Sequence, residues 1–125
     1  MYKIMLADDE GIVIDSLKFI IEKEFQGNCV IEFAKTGRSV IELAESFRPD
    51  IAIMDIQMPV MNGYDAAKAI RKLKNPDLAS VPIIAMTANA FEEDRQQAMQ
   101  CGMNGHLAKP IDVEMLFKTM DKVLS

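Results

Sequence analysis

The chain has 125 residues, half of them hydrophobic and 26% charged, with a net charge of −5. That length and balance suit one compact domain with a core of its own. The acidic balance and the absence of any Lys/Arg block speak against direct nucleic-acid binding, and no apolar run is long enough for a membrane span.

The first residues, MYKIMLADDE, show no basic stretch leading into a long apolar run, so the start reads as no signal peptide. Tyr2 to Ala7 predicts a strand that stops at Asp8. Val13, Leu17, Ile20 and Ile21 then recur at helical spacing until Gly27-Asn28 ends the helix. Cys29 to Ala34 predicts a second strand, and Glu32 within it points to a sheet edge. Val40, Leu43, Ala44 and Phe47 form a second helical stripe, closed by Pro49. Ile51 to Met54 is a third strand, followed at once by Asp55 and by turn chemistry in Pro59 and Asn62-Gly63.

Tyr64 to Lys74 carries Ala66, Ile70 and Leu73 on one face, and Asn75-Pro76 stops it. Val81 to Met86 is a fourth strand with Pro82 at its start. Phe91 to Cys101 is a polar helix with Glu92, Glu93 and Asp94 in its first turn, and Gly102 caps it. Gly105 to Ala108 is a short fifth strand. Asp112 then caps a last helix with the stripe Val113, Leu116, Phe117, Met120, Val123 and Leu124. Five strands alternating strictly with five helices call for an α/β, doubly wound parallel sheet covered on both faces. Cys29 and Cys101 fit no metal or redox spacing and read as reduced thiols in a cytoplasmic protein. The ten methionines read as core filler.

In such sheets ligands sit beyond the carboxyl ends of the strands. Strand one ends in Asp8, Asp9 and Glu10, strand three in Asp55, strand four in Thr87 and strand five in Lys109-Pro110. Every strand except the edge strand therefore delivers a polar group to one rim. Carboxylates gathered in one cleft repel one another unless a cation intervenes. Hard oxygen ligands with room for water suit magnesium, with manganese as an alternative. Carboxylates, a divalent cation, the Lys109 ammonium and the Thr87 hydroxyl around one point suit a phosphoryl group, with Asp55 as nucleophile.

The segments DDE at 8–10, MDIQMPVMNG around Asp55, MTA at 86–88 and AKP at 108–110, in that order and each at a predicted strand end, resemble the receiver domain of two-component response regulators. The resemblance runs from end to end, implying a single receiver domain over 1–125 with the flavodoxin-like strand order 2-1-3-4-5. It implies that Asp55 accepts a phosphoryl group from a histidine kinase or a histidine phosphotransfer protein. It implies magnesium held by Asp9, Asp55 and the backbone carbonyl of Gln57, with Asp8 acting through water. Thr87 and Lys109 would grip the phosphoryl oxygens, and the small Ala88 would leave room for them. The Lys109-Pro110 bond is a candidate cis peptide. The implied role is a signalling switch that catalyses only its own phosphorylation and dephosphorylation, with an output domain or a homodimer as further partners.

Several positions keep more than one reading. His106 stands where the family usually has Tyr or Phe. It is a ring without a role, a side chain that changes burial as Thr87 moves, or a protonation switch. Gln57 and Asn89 either line the path of the hydrolytic water or are solvated amides. Glu10 is either a further metal-site acid or a charge favoured by the helix dipole. Ile12, Val13 and Ser16 form one candidate contact face. Phe91, Arg95, His106 and the outer side of the last helix form another. MTANAF and GHLAKP resemble receivers of hybrid sensor kinases, whereas LADDEGIVIDSL resembles stand-alone transcriptional regulators.

An aspartate-nucleophile, metal-dependent phosphatase is the alternative of another class. It would want an acid two residues after Asp55, where Gln57 cannot give a proton. A flavin carrier would need a Ser/Thr/Gly-rich phosphate loop where ADDEG stands. The complete acidic, Asp, Thr and Lys set argues against a degenerate receiver.

Overall fold

Successive strand residues point to opposite faces of a sheet, and here both faces are apolar. In β1 (Tyr2–Ala7), Ile4 and Leu6 face one side while Met5 and Ala7 face the other; in β3 (Ile51–Asp55), Ile51 and Ile53 oppose Ala52 and Met54. In β4 (Ile83–Thr87), Ile84 and Met86 oppose Ile83 and Ala85. Strands apolar on both faces belong inside a parallel sheet. In the computed structural model, which describes residues 1–58, 61–88 and 92–124, these three form the centre of a five-stranded sheet. Its order is β2-β1-β3-β4-β5, with every neighbouring pair parallel. The edges are β2 (Cys29–Ala34), where Glu32 is exposed as an edge strand allows, and β5 (Gly105–Ala108).

The helices divide between the faces. The Ile/Leu side is covered by α1 (Gly11–Phe25) through Ile14, Leu17 and Ile21, and by the last helix, Val113–Leu124, through Leu116 and Met120. The opposite side receives α2 (Gly37–Phe47), α3 (Gly63–Arg71) and the helix Glu92–Gln100. Short polar side chains start several of these helices by satisfying free N–H groups. Thr36 Oγ1 accepts from Ser39 N at 3.1 Å, Asn62 Oδ1 from Asp65 N at 2.9 Å, and Asp112 Oδ1 from Met115 N at 3.1 Å.

The structure corrects the sequence reading in detail. The alternation is not strict: a one-turn helix, α4 (Pro76–Ala79), stands between α3 and β4. Asn75, read as a stop, is instead its cap, accepting from Asp77 N at 2.9 Å, and Pro76 fits the first turn. The helices at Glu92–Gln100 and Val113–Leu124 are therefore α5 and α6. The third helix ends at Arg71 rather than Lys74, and β4 begins after Pro82, whose carbonyl accepts from Ala52 N. On α1 the buried residues are Ile14, Leu17 and Ile21, with Val13 and Ile20 only half-buried; on α6 Val113 is exposed. Met5, Met54, Met58, Met86, Met103 and Met120 are core, but Met1, Met99 and Met115 are exposed. Both cysteines are free thiols; burial, with help from Glu22, pushes the Cys29 thiol up, so it stays protonated. No helix among the described residues is long and apolar enough to cross a membrane.

One glycine fixes how the chain leaves β3. A Cβ at Gly63 would stand 2.5 Å from the Asp55 carbonyl oxygen and 2.8 Å from Ile56 Cα. Only glycine lets α3 start against the strand end that carries Asp55.

Candidate functional site

The order 2-1-3-4-5 means that the chain leaves β1 toward one side and returns to the other, opening a crevice between the carboxyl ends of β1 and β3. The registers set what lines it. Ala7 pairs with Met54, so Asp8 and Asp55 follow side by side. Asp55 pairs with Met86, and Thr87 pairs with Ala108, so Thr87 and Lys109 take the next steps along the same rim.

The result is a carboxylate cluster around one ammonium. One oxygen from each of Asp8, Asp9, Glu10 and Asp55 lies within 4.8 Å of the others. Asp8 and Asp55 are buried, while Asp9 and Glu10 face solvent. Lys109 Nζ donates to Asp8 Oδ2 at 2.9 Å and to Asp55 Oδ2 at 3.0 Å, and stands 3.8 Å from Glu10 Oε1. The second oxygens are held by the backbone: Glu10 N donates to Asp8 Oδ1 and Gln57 N to Asp55 Oδ1, each at 2.9 Å. Burial works against the Lys109 ammonium, but its hydrogen bonds to Asp8 and Asp55 and their charge outweigh it, holding the lysine above its ordinary range. Four carboxylates against one ammonium leave three negative charges uncompensated. An all-oxygen donor set with that excess and an open, solvated side fits a small hard divalent cation such as magnesium.

The other expected site residues fall around this point. Thr87 is buried at the end of β4, and its carbonyl accepts from Lys109 N at 2.7 Å. Ala88 beside it is exposed, and the Lys109–Pro110 peptide bond is cis. Gln57 is exposed. Glu10 stands at the N-cap of α1 without a side-chain cap hydrogen bond, and its carboxylate reaches 3.8 Å from Lys109 Nζ, a position compatible with both of its readings. Asn89 and Phe91, like Pro59, lie outside the described residues.

His106, on β5, points away from the α6 side, which Gly105 and Leu107 face. Its Nε2 is buried and has no hydrogen-bond partner among the described residues. Burial lowers its pKa; Asp94 and Glu92 of α5 pull it up and Arg95 pushes it down, and the net shift is downward. As pH falls through the ordinary histidine range, the unfolded chain therefore binds a proton before the folded one. Stability is expected to decline over that window and to level off below the folded-state pKa. Urea unfolding between pH 7.5 and 5.5 checks this: His106→Phe should flatten the decline relative to wild type, and parallel curves would contradict it.

Beside Lys109, the residues Ile12, Val13, Ser16, Leu17, Ile20, Pro110 and Ile111 line a mainly apolar groove of about 230 Å³. Three of these, Ile12, Val13 and Ser16, are the contact residues expected on α1. One rim residue escaped the sequence reading. The edge strand also delivers a charged group: Lys35 follows Ala34, and its Nζ passes 3.7 Å from where a Cβ of Gly11 would stand. The available signal was its place, directly after the last residue of β2, as Asp8 is directly after β1.

A doubly wound domain with a carboxylate–lysine cluster at the switch point of its sheet has the architecture of a two-component signalling domain. The chain belongs to the response regulator receiver domain family, whose model matches residues 4–121. It is 32% identical over 125 residues to protein PilH of Pseudomonas aeruginosa, covering 100% of this chain and 99% of that one. Among solved structures it resembles the receiver domain of sensor histidine kinase PA1611 from Pseudomonas aeruginosa, which has a magnesium ion coordinated in its active-site cleft. The TM-score is 0.85 at 30% identity, covering 98% of this chain and 97% of that one. It also resembles the receiver domain of Ssk1 from Saccharomyces cerevisiae, solved with the histidine phosphotransfer protein Ypd1; the TM-score is 0.86 at 26% identity, covering 98% and 88%.

Proposed function

We propose that residues 1–125 act as a single cytoplasmic receiver domain in which Asp55 takes a phosphoryl group from a histidine kinase or a histidine phosphotransfer protein. The observation that carries this is the position of Lys109 Nζ, shared between Asp8 and Asp55 at 2.9 and 3.0 Å at the mouth of the switch-point crevice. An Asp55 carboxylate oxygen attacks phosphorus, and the P–N bond to the donor imidazole breaks. Its electron pair goes to the ring nitrogen, which takes a proton from solvent, leaving an acyl phosphate on Asp55. Lys109 then exchanges the carboxylate charge of Asp55 for the phosphoryl oxyanions, and the Thr87 hydroxyl donates to them.

Asp9, Asp55 and the Gln57 carbonyl would hold the magnesium, with Asp8 reaching it through water. The ion would neutralise charge on the transferring group. The magnesium-bound PA1611 receiver and the Ypd1–Ssk1 complex support the metal and the donor class. The apolar groove along α1, next to Lys109, is where a donor would dock. Phosphorylation adds up to about two negative charges beneath Thr87. The domain then shifts toward the state that binds them better, changing the surface it presents on the β4–α5 side.

Incubation with phosphoramidate or acetyl phosphate and magnesium, followed by intact-mass measurement, tests the proposal. One phosphoryl group should be gained, and Asp55→Asn should abolish the gain. Steady release of phosphate from many phosphomonoesters would instead make the chain a phosphatase and overturn the reading.

A further inference from the structure

We propose that Lys35 is a second cation of the site, placed at its mouth to draw in the phosphoryl group of the donor before transfer; this rests on the assignment of Asp55 as phosphoacceptor. Three observations place it there. Asp8 N donates to Ala34 O at 3.1 Å, so the end of β2 is fastened to the residue that opens the acidic loop. Lys35 is the next residue. Gly11, which immediately follows Glu10, has no side chain, and the Lys35 ammonium lies over it, 3.7 Å from the position a Cβ would take.

The charge of Lys35 is uncommitted. It is exposed, and among the described residues it makes no ion pair or hydrogen bond, whereas Lys109 is bound to Asp8 and Asp55. A donor phosphoryl group is itself anionic. It must approach a surface where four carboxylates outnumber one ammonium, and where a magnesium ion would still leave one negative charge over. An ammonium at the outer edge lowers that barrier at the range over which charges act in dilute salt, about 10 Å at 0.1 M. Once the group is bound at Asp55, Lys109 is the nearer cation, so Lys35 acts on capture more than on transfer. It is a positioning residue for the incoming donor.

The test uses phosphoramidate as donor, because its P–N bond resembles that of phosphohistidine and its leaving group is ammonia. In magnesium at low ionic strength, Lys35→Gln should raise the half-saturating phosphoramidate concentration about threefold to fivefold, and Lys35→Glu about tenfold or more. The saturating rate should stay within about twofold, and the effect should fade in about 0.5 M salt. Magnesium affinity, read by calorimetry without donor, should move the opposite way and tighten in both variants, since a repelling cation is gone. A site merely distorted by the substitution would weaken both ligands together. Half-saturation equal to wild type at low salt, or parallel loss of magnesium and donor, overturns this inference while leaving Asp55 as acceptor. A wild-type chain that takes up no phosphoryl group overturns both.

Discussion

Replacing Lys109 by methionine is expected to slow phosphoryl uptake at Asp55 by about a hundredfold and to destabilise the metal-free domain by about 2–3 kcal/mol. The two effects have one origin. Lys109 Nζ is the cation within hydrogen-bonding distance of the buried Asp8 and Asp55 carboxylates. Without it those charges face each other and the exposed Asp9 and Glu10 across a few ångströms. The loss falls below the range for fully buried pairs because the Lys109 side chain is 20% exposed and water reaches the outer acids. Urea unfolding with and without millimolar magnesium separates the terms. In chelator the variant should unfold at lower urea than wild type, and magnesium should narrow the gap by supplying the missing positive charge. Burial disfavours the Lys109 ammonium, but its bonds to Asp8 and Asp55 hold it above the ordinary lysine range. Its contribution is therefore complete at neutral pH and is lost only as pH climbs past that range to the folded-state value. Equal unfolding midpoints in chelator, or an unchanged uptake rate, would contradict the account.

The strands and the rim were legible because they obey one simple rule. A central parallel strand is buried on both faces, so its sequence is an apolar run, and a charged residue can appear only where the strand leaves the core. Asp8, Asp55 and Thr87 each end such a run, and the registers bring them side by side with Lys109, which follows the short strand β5. The edge strand broke the rule. With Val30, Glu32 and Phe33 exposed, β2 has no sharp passage from core to rim, and Lys35 did not stand out. The one-turn helix at Pro76–Ala79 was illegible for another reason. Four residues carry no helical period, and Asn75-Pro76 serves equally as a stop or as a cap and first turn. Val113 fits the periodic stripe of α6 yet is exposed, since periodicity gives a helix face but not where that face runs out of partner. Glu10 keeps its two readings because one position serves both: it is the N-cap residue of α1, and its carboxylate reaches 3.8 Å from Lys109 Nζ.

Arg71 shows the same limit most sharply and carries the largest stability effect expected away from the site. Nothing in its sequence context marks it, because its partners are backbone carbonyls. Its Nε and Nη2 donate to Gly102 O at 2.9 and 2.6 Å, and Nη1 donates to Ala79 O at 2.9 Å and Val81 O at 2.8 Å. Nη2 also reaches Asn104 Oδ1 at 2.8 Å, an oxygen that accepts from Ile83 N as well. One guanidinium thus ties the end of α3 to α4, to the entry of β4 and to the turn before β5. Gly102 has φ +92°, and a Cβ there would lie 2.9 Å from Arg71 Cγ, so this glycine is required both by its backbone and by the arginine stem. No carboxylate pairs with Arg71 among the described residues. Burial pushes its pKa down, though an arginine stays charged, and carbonyl dipoles take the place of a counter-ion. Arg71→Ala strands those carbonyls and leaves a gap under Gly102. It is expected to cost about 3 kcal/mol and to lower the melting temperature by about 10 °C. Arg71→Lys should recover less than half of that, because one ammonium cannot span oxygens that a planar fork reaches from several sides. The clamp sits at the amino-end rim of β4 and β5, opposite Asp55. Phosphoryl uptake by the folded fraction of both variants should therefore match wild type at a temperature well below their transitions. Thermal unfolding followed by far-ultraviolet circular dichroism, paired with intact-mass measurement of uptake, checks both halves; an alanine variant as stable as wild type would show that water satisfies the carbonyls as well as the guanidinium does.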